Sequence, residues 1–515
     1  MMLSRTKFWW KILSEADAKS IGVGIAAHSG QISVGLSQGF SAVLIPKLLD
    51  DNFATIAEGS WIASLGVISN PLGALIAGST AEYFGRRAAI ALATLPHAAG
   101  WLLIALSTNV PMLYTGRFIS GIGTGMANAL YLYVTETAAP HQRAWLASSG
   151  PILVSLGVLG SYVLGALTTW QYTAAISIIP SILSLALVKF LPESPAWLAR
   201  HGHLNEAKKS LLWLRGPGIS YENEYKELCG DASIERRKKN SKIKLKTALL
   251  LPNVWKPFLI LIIFFCLQQL SGIYIILFYA VNVLKEFGAD IDEYIGSIAI
   301  GLVRLVASII GAFLAGHFGR RPLACTSAIG MTISSILVVL SMKYNNYFLF
   351  IPKTLPIICI GCHVAFSMIG FLTLPWVLSS ELYSLRFRGS LGGLTTGIAQ
   401  IMTFGAIKTY PLISGNIGLD NTMMIFSISS IIGAIFSITI LPETKNVTLE
   451  EIERRFSSSN FNNTNHNNNI LFVEEFNNNN IVEVNKIGID NITFDISDEG
   501  RVIVVKNNQL TEIVC

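Results

Sequence analysis

The chain has 515 residues, of which 51% are hydrophobic and only 14% are charged, and its formal net charge is +6. About 25% of the residues of soluble proteins are charged, so this composition excludes an ordinary soluble protein. The positive charge does not indicate nucleic-acid binding, because the basic residues lie in short connections between apolar blocks, where membrane orientation accounts for them.

Twelve apolar blocks follow one another along the chain, and each is close to the ~20 residues that cross the hydrocarbon layer of a bilayer as a helix. The first six blocks are 21–45, 60–81, 88–108, 111–134, 145–169 and 171–190. The last six blocks are 257–283, 294–315, 322–342, 354–380, 390–413 and 422–441. The pattern predicts an all-α membrane protein with twelve transmembrane helices.

Polar regions flank and separate the two groups of six predicted helices. The expected domains are an N-terminal segment 1–20, a first half 21–190, a linker 191–256, a second half 257–441 and a tail 442–515. Within the linker, the amphipathic stretch Leu204–Leu214 predicts a short helix near the membrane surface. In the tail, the asparagine-rich residues 457–480 are expected to be disordered, and the alternating pattern that follows them predicts short strands.

Every second connection between the predicted helices carries basic residues. The intervening connections carry acidic residues instead, as at Asp50 and Asp51. The basic positions are Arg86, Arg87, Arg143, Arg236, Arg237, Lys238, Lys239, Arg320, Arg321, Arg386, Arg388, Arg454 and Arg455. Lysine and arginine accumulate in loops on the cytoplasmic side of membrane proteins. Both termini and the linker are therefore expected in the cytoplasm.

Three motifs of the first half recur in the second half in the same order. The pairs are Gly85-Arg86-Arg87 with Gly319-Arg320-Arg321, Glu136 and Arg143 with Glu381 and Arg388, and Pro192-Glu193-Ser194 with Pro442-Glu443-Thr444. A duplicated six-helix unit in one orientation is a transporter architecture, with the solute site between the halves near the bilayer midplane. The chain is therefore expected to form two pseudo-symmetric six-helix bundles.

The charged members of these motifs are expected to form salt bridges that hold an inner gate shut in one state and part in another. They are Arg86, Arg87, Glu136, Arg143, Glu193, Arg320, Arg321, Glu381, Arg388 and Glu443. The alternative is that they only anchor helix ends and set the orientation of the chain. The duplication of the whole set favours gating.

Together with further motifs, these residues resemble the sugar porter family of the major facilitator superfamily over residues 20–455. The additional motifs are Arg117 with Gly121, Gly123 and Gly125, Pro140, Pro195, Gln268-Gln269-Leu270-Ser271-Gly272, Pro375-Trp376 and Lys445. The runs Trp213–Gly216 and Lys408–Pro411 are similar to those of insect facilitative trehalose and glucose transporters. The resemblance implies the major facilitator fold and alternating access, in which two halves rock about a central cavity that binds a monosaccharide or a disaccharide.

For a carrier of this family, the residues expected to contact the sugar are Gln268, Gln269, Tyr274, Arg304, Trp376 and Gln400. Amides both donate and accept hydrogen bonds, as sugar hydroxyls require, and an aromatic ring offers an apolar face. The alternative for the two glutamines is an interhelical hydrogen bond, worth ~0.6 kcal/mol on average. For Trp376 the alternative is core packing.

The predicted pocket departs from the family pattern at several positions. The family commonly carries asparagine at the positions of Tyr274 and Arg304, and glutamine at the position of Pro151. It often carries asparagine and tryptophan at the positions of Ala399 and Gln400. Arg304 is the most informative departure, because a charge near the centre of a helix costs about 2.5 to 3.5 kcal/mol on insertion. It is expected to line the cavity and donate to a sugar; an anionic solute and a merely snorkelling arginine remain alternatives.

Passive uniport is expected, because coupling to protons requires a titratable group in the pathway. Proton-driven relatives carry an acid in the first helix near the arginine matched here by Arg117, but residues 21–45 contain neither Asp nor Glu. His28 is the only titratable group there and is expected to act as a structural hydrogen-bonding residue. The alternatives are a proton-coupled sugar symporter and a sugar sensor that signals through the tail.

The resemblance implies a multi-pass plasma-membrane carrier rather than an enzyme, with a small-molecule sugar and the lipid bilayer as its partners. No cofactor, no metal and no nucleic acid are expected. The oligomeric state stays open at this point, as does the identity of the sugar.

Overall fold

The computed structural model describes residues 15–139, 142–216, 221–226, 228–230, 252–287, 292–344, 354–383, 388–445, 447, 449–457, 492–496, 502–506 and 509–513. The chain divides into two compact units, Met1–Ser458 and Ser459–Cys515. In the described residues, the regular structure of the first unit is helical and that of the second consists of strands.

The first six predicted spans are helical, and four of them consist of two helices separated by a short break. Their bounds are Glu15–His28 with Gln31–Asp50, Ile56–Ile68 with Asn70–Phe84, Arg86–Ala105, Val110–Met126 with Asn128–Thr137, Arg143–Leu167, and Trp170–Ile176 with Ile178–Val188. These six spans form the first bundle of a twelve-helix membrane fold.

The second six predicted spans are helical as well, and they form the second bundle. Their bounds are Pro252–Leu270 with Ile273–Phe278 and Ala280–Phe287, Glu293–His317, Arg320–Tyr344, Leu355–Ile369 with Leu374–Glu381, Arg388–Ile417, and Leu419–Thr439. The fold class predicted from the sequence, twelve transmembrane helices in two pseudo-symmetric bundles, is confirmed.

Ten helical stretches within the described residues are long and apolar enough to cross a bilayer by length and composition. The fourth span, Val110–Met126 with its continuation, and the eleventh span, Arg388–Ile417, complete the set of twelve. Glycine and hydroxyl residues make these two less apolar than the others. Large apolar side chains that face outward, where acyl chains surround the bundle, include Leu75, Leu95, Ile182, Ile309, Ile333, Ile358 and Ile435.

Small residues allow several spans to approach each other closely. A Cβ atom added at Gly157 of the fifth span would lie 2.9 Å from the Cα atom of Gly35 in the first span. Gly125 of the fourth span packs similarly against the backbone at Asn70 of the second span. Glycine at such crossings lets helix backbones meet without side chains between them, so these spans of the first bundle are tightly packed.

The seventh span breaks at Gly272, directly after the paired glutamines Gln268 and Gln269. Gly272 has φ +78°, a left-handed conformation that only glycine adopts at little cost. A Cβ atom at this position would also collide with the ring of Phe426. The break therefore depends on glycine, and it ends the helix that carries the two amides.

The linker contributes two short helices, Pro195–Arg200 and Leu204–Arg215. The second helix confirms the amphipathic stretch predicted from the sequence, since Ala207, Leu211 and Leu214 are buried on one side of it. Leu214 packs in the core of the first bundle, and Ser210 donates a hydrogen bond of 2.6 Å to the carbonyl oxygen of Glu193. The helix is thus held against protein rather than only lying at a lipid surface.

The second unit contains a three-stranded antiparallel sheet, as the alternating pattern near the C-terminus predicts. Its strands are β1 (Ile492–Ile496), β2 (Val502–Lys506) and β3 (Gln509–Ile513), in the order β1-β2-β3. Phe494 is paired with Val504, and Val504 is paired with Thr511. Of the asparagine-rich stretch 457–480, for which disorder is expected, residue 457 ends the helix Leu449–Ser457, and residues 458–480 lie outside the described residues.

Candidate sugar site and charged clusters

A charged cluster at one end of the first bundle joins its second, third, fourth and sixth spans. Arg86 is 3% exposed, and its Nε and Nη2 atoms donate hydrogen bonds of 3.0 Å each to the two carboxylate oxygens of Glu136. Ser194 donates a further short hydrogen bond to Glu136. Such a bidentate pair, removed from water, is stronger and more directional than an exposed ion pair. We call these residues, with Glu193 and Arg200, the first-half cluster.

Glu193 completes the first-half cluster by accepting hydrogen bonds at the start of a helix. The backbone N–H groups of Arg86 and Arg87 donate to its carboxylate at 2.9 and 3.2 Å. These N–H groups have no partner within their own helix, and the positive end of the helix dipole favours an anion there. The linker adds Arg200, whose Nη2 atom lies 2.6 Å from Glu136.

The second bundle repeats this arrangement with the matching residues. Arg320 donates to Glu381 at 2.9 Å, and Thr444 donates to the same carboxylate at 2.6 Å. Glu443 accepts from the backbone N–H groups of Arg320 and Arg321 at 2.9 and 3.1 Å. We call these five residues the second-half cluster. The residues of the duplicated motifs thus make the same contacts in both halves, which shows that the motifs build the same local structure.

The pKa of Glu443 lies below its ordinary value. Burial opposes this shift, because a partly buried carboxylate loses solvation, but four backbone N–H groups outweigh it. They belong to Lys445, Arg320, Arg321 and Thr444. Hydrogen bonds to the charged form stabilise that form, so Glu443 remains ionised at neutral pH.

Both clusters lie within their own halves. None of the pairs named above joins one bundle to the other, whereas the sequence-based interpretation has these residues forming a gate that parts. The backbones of Arg143 and Arg388 begin the fifth and eleventh spans, but the side chains of both lie outside the described part of the chain. Gating by this set stays a prediction; what the contacts establish is that each cluster ties three or more helix ends together.

Gln268 and Gln269 are both buried, and their contacts differ. Gln268 donates to the carbonyl oxygens of Phe371 and Leu372 at 3.0 and 2.9 Å, where the tenth span is broken between Ile369 and Leu374. Its Oε1 atom accepts from Gln269 at 3.2 Å. Gln268 therefore makes the interhelical contact that the sequence offers as the alternative to sugar binding.

Gln269 retains the capacity to accept a hydrogen bond. Its Nε2 atom donates to Gln268, but its buried Oε1 atom has no hydrogen-bond partner among the described residues. A buried acceptor without a partner is costly, so such atoms call for an explanation. A hydroxyl group of a bound sugar would provide the missing donor.

Arg304, Tyr274 and Trp376 lie near one another, as expected for residues of one site. Tyr274 lies close enough to both Trp376 and Arg304 for them to interact with its hydroxyl group. Trp376 is half-buried and packs edge to face on Phe265, with ring centroids 4.9 Å apart. The packing expected as the alternative for Trp376 is thus present on one side of the ring.

Two residues of this region were not singled out in the sequence: Gln38 and Tyr162. The Nη2 atom of Arg304 donates to Oε1 of Gln38 at 3.3 Å, which joins the eighth span to the first. Tyr162 of the fifth span is within electrostatic range of Arg304 and donates to the carbonyl oxygen of Leu277 at 2.8 Å. An amide within an apolar span is an unusual residue, and the argument applied to Gln268 would have identified Gln38.

Gln400 meets an amide of the opposite half. The side-chain amides of Gln400 and Asn70 are 3.2 Å apart, which joins the eleventh span to the second. In the orientation in which the Asn70 nitrogen donates to the carbonyl oxygens of Gly66 and Gly121, at 2.7 and 2.9 Å, its oxygen faces Gln400, whose amide nitrogen is then the donor between the two side chains. Gln400 thus lies at the interface between the halves, where a site for a solute is expected.

Further contacts hold the halves together at the end of the bundle opposite the two charged clusters. The Nζ atom of Lys408 lies 2.6 Å from Oγ of Ser60 and 4.1 Å from the ring centroid of Trp61. Lys285 pairs with Asp50 at 3.3 Å. Contacts between the halves therefore extend from the centre of the molecule to this end.

Arg117 and His28, which the sequence analysis considers for proton coupling, both have hydrogen-bond partners within the protein. Arg117 is 1% exposed and donates to the carbonyl oxygens of Ile62 and Ser37, at 3.0 and 3.1 Å, and to Oγ of Ser41 at 2.6 Å. His28 is buried with its Nδ1 atom 2.8 Å from Oγ of Ser149. His28 has the hydrogen-bonded environment that the sequence analysis assigns to it.

The chain is similar to known proteins in both sequence and structure. The family model described as Sugar (and other) transporter matches residues 30–456. A facilitated trehalose transporter Tret1 from Apis mellifera ligustica is 30% identical over 449 residues, which is 84% of this chain and 87% of the relative. The Tret1 protein of Bombyx mori is 30% identical over 458 residues, which is 88% of each chain.

Among solved structures, the proton:xylose symporter XylE bound to 6-bromo-6-deoxy-D-glucose superimposes with a TM-score of 0.70 at 21% identity, over 85% of this chain and 99% of that chain. The inward open conformation of the xylose transporter XylE from E. coli gives the same TM-score, identity and coverage. At this identity the likeness shows the fold alone. Both structures arrange their helices as this chain does.

Proposed function

We propose that this chain, which belongs to the sugar transporter family, is a facilitative uniporter that moves a sugar by alternating access. The sugar crosses the membrane chemically unchanged. The solute we propose is a monosaccharide or a disaccharide of the trehalose type, since the relatives that are 30% identical are named facilitated trehalose transporters.

The observation that carries this proposal is the set of polar and aromatic side chains where the two halves meet. Gln38 and Arg304 join the first and eighth spans, and Asn70 and Gln400 join the second and eleventh. Gln269 adds an acceptor without a partner in the described structure. Sugars present hydroxyls in several directions, so a site for them needs donors and acceptors from more than one element.

Uniport rather than proton coupling is supported by the partners of Arg117. The arginine donates to two carbonyl oxygens and one hydroxyl group, all of them neutral and not titratable near neutral pH. Residues 21–45 contain no acid that would take and release a proton beside it. Its charge is therefore stabilised in a way that does not change with pH, and transport is expected to proceed without a proton gradient.

The orientation we propose places both charged clusters on the cytoplasmic side of the plasma membrane. The loops beside them carry the excess of arginine and lysine that marks cytoplasmic connections. Contacts between the halves run from Gln38 and Arg304 toward Lys408 and Ser60 at the opposite end. This arrangement supports a state in which the extracellular side is the more closely joined of the two.

The direct test is uptake of labelled sugars by the purified full-length chain in liposomes. Saturable uptake of trehalose or glucose that stops at concentration equilibrium and is unchanged by a protonophore is the expected result. Saturable uptake against a gradient that collapses with the protonophore would instead identify a symporter. If neither these sugars nor other neutral mono- and disaccharides are taken up saturably, the proposal is wrong.

A further inference from the structure

Arg304 is a buried cation whose hydrogen-bonding capacity is largely unused. It lies near the middle of the eighth span and is 4% exposed. One contact is present, from Nη2 to Gln38 at 3.3 Å, and the Nε and Nη1 atoms have no partner within the described structure. Burying a polar group without a partner costs free energy, and burying a charged one costs more.

Arg117 provides a comparison within the same protein. It is buried to the same degree, 1% exposed, and each of its three nitrogens donates a hydrogen bond to a carbonyl or hydroxyl oxygen. The fold can therefore satisfy a buried guanidinium completely with its own groups. At Arg304 it does not, which indicates that the remaining donors have a partner from outside the chain.

The groups around Arg304 are neutral. Gln38 supplies an amide oxygen, and the hydroxyls of Tyr162 and Tyr274 are within electrostatic range. The carboxylates at the ends of the first and tenth spans, Asp50 and Glu381, are paired with Lys285 and Arg320. The missing partner of a buried guanidinium is most effective when it is an anion, because opposite charges offset each other's loss of solvation.

The geometry points to a sugar acid as a solute of the central site, its carboxylate bound by Arg304 and its ring hydroxyls by the surrounding amides. This inference rests on the proposed function, since it places the ligand in the same site. A carboxylate accepts charge-assisted hydrogen bonds from guanidinium nitrogens. One buried positive charge matches a carboxylate, whereas a doubly charged phosphate would retain an uncompensated charge. A hexuronate such as glucuronate fits this description.

The test compares glucuronate with glucose in liposomes that contain the full-length protein. For the wild type we expect glucuronate to compete with labelled trehalose or glucose at concentrations at least tenfold lower than glucose does. Glucuronate itself should enter, and its accumulation should follow the membrane potential by about 59 mV per tenfold change, as for a single charge. Uptake of neutral sugars should not respond to the potential.

Three variants assign the effect to Arg304. In R304Q the preference for glucuronate over a neutral sugar, measured as the ratio of their uptake rates in the same variant, should fall at least tenfold, while R304K, which keeps the charge, should retain part of the preference. K343Q, which removes an exposed positive charge at the end of the ninth span, should behave as the wild type. A preference that survives in R304Q would overturn the inference.

The wild-type measurements distinguish the inference from the proposed function without any variant. Saturable uptake of neutral sugars with no competition by glucuronate would overturn the inference and leave the function standing. Glucuronate uptake without any neutral sugar uptake would support the inference and correct the solute proposed above. Competition by glucose 6-phosphate as strong as that by glucuronate would overturn the assignment to a singly charged acid.

Discussion

Replacing Glu136 by glutamine removes the carboxylate at the centre of the first-half cluster. Glu136 is 11% exposed and its partner Arg86 is 3% exposed, so the substitution leaves a buried guanidinium whose remaining carboxylate, Glu82, is 3.4 Å away and 54% exposed. Breaking one side of a buried pair costs about 3 to 5 kcal/mol. Glutamine can still accept a hydrogen bond, so we expect a loss of about 3 kcal/mol in the free energy of unfolding.

The matching substitution in the second half serves as the comparison. Arg320 and Glu381 are 20% and 26% exposed, so water screens this pair and can solvate the arginine once the carboxylate is gone. Exposed pairs are worth up to about 1 kcal/mol, and this partly exposed pair lies between the two limits. Glu381→Gln should therefore lower the melting temperature clearly less than Glu136→Gln, although the two residues occupy equivalent positions in the repeat.

The measurement is the thermal unfolding of the purified protein in detergent, for each single variant and for Arg86→Gln with Glu136→Gln. The double variant also removes the buried guanidinium. The charged groups that then lose a contact, Arg200 and Glu82, are 29% and 54% exposed and can be solvated, so the double variant should unfold at a higher temperature than Glu136→Gln alone. Equal losses at Glu136 and Glu381, or a double variant less stable than the single one, would refute the reasoning from burial.

Three further predictions follow from the described contacts. Gln268→Ala should lower the melting temperature, because two carbonyl groups of the broken tenth span lose their donor. Gln269→Ala, which removes one donor, should lower the melting temperature less and raise KM for the sugar. The pKa of Glu443 is lower in the folded state than in the unfolded state. Its contribution to stability is therefore present at pH values above its unfolded-state pKa, about 4.3, and is lost as the pH falls through its folded-state pKa. The melting temperatures of the wild type and Glu443→Gln should therefore differ at pH 7 and converge in acid. Deleting residues 459–515, a separate compact unit, should leave sugar uptake by the rest of the chain intact.

Each of these predictions has a result that would contradict it. A drop in melting temperature for Gln269→Ala equal to that for Gln268→Ala would mean that Gln269 is structural as well. A difference between wild type and Glu443→Gln that grows on acidification would mean that the folded-state pKa is raised. Loss of uptake on deletion of the tail, in protein that still folds, would mean that the tail takes part in transport.

The twelve helices could be predicted because the signal that defines them is local. Each span is a run of about 20 apolar residues, and its length is set by the thickness of the bilayer rather than by distant contacts. The repeated Gly-Arg-Arg and Pro-Glu motifs were equally readable, and they form matching clusters in the two bundles. The role of Arg200 was not readable, because its contact with Glu136 depends on where the linker folds back.

The candidate site could be predicted only in part, because its contacts are set by tertiary structure. Gln268 and Gln269 are neighbours in the sequence with the same chemistry, yet one is saturated by the carbonyl oxygens of Phe371 and Leu372 and the other keeps an unpaired oxygen. The difference arises from the break in the tenth span, which exposes those carbonyl oxygens to the seventh. No pattern in the seventh span itself contains that information.

The contacts of the two charged clusters bear on which parts of the molecule would have to change during transport. Each cluster ties helix ends within one half, so rocking of the halves as rigid bodies leaves these ion pairs intact. The contacts that such a motion must break are those between the halves, from Asn70 with Gln400 to Lys408 with Ser60. The contact between Arg304 and Gln38 also joins the two halves, and it consists of a single long hydrogen bond of 3.3 Å. A solute that replaces this weak contact with a stronger one would lower the free energy needed to separate the halves there, and this couples binding at Arg304 to the opening of the site.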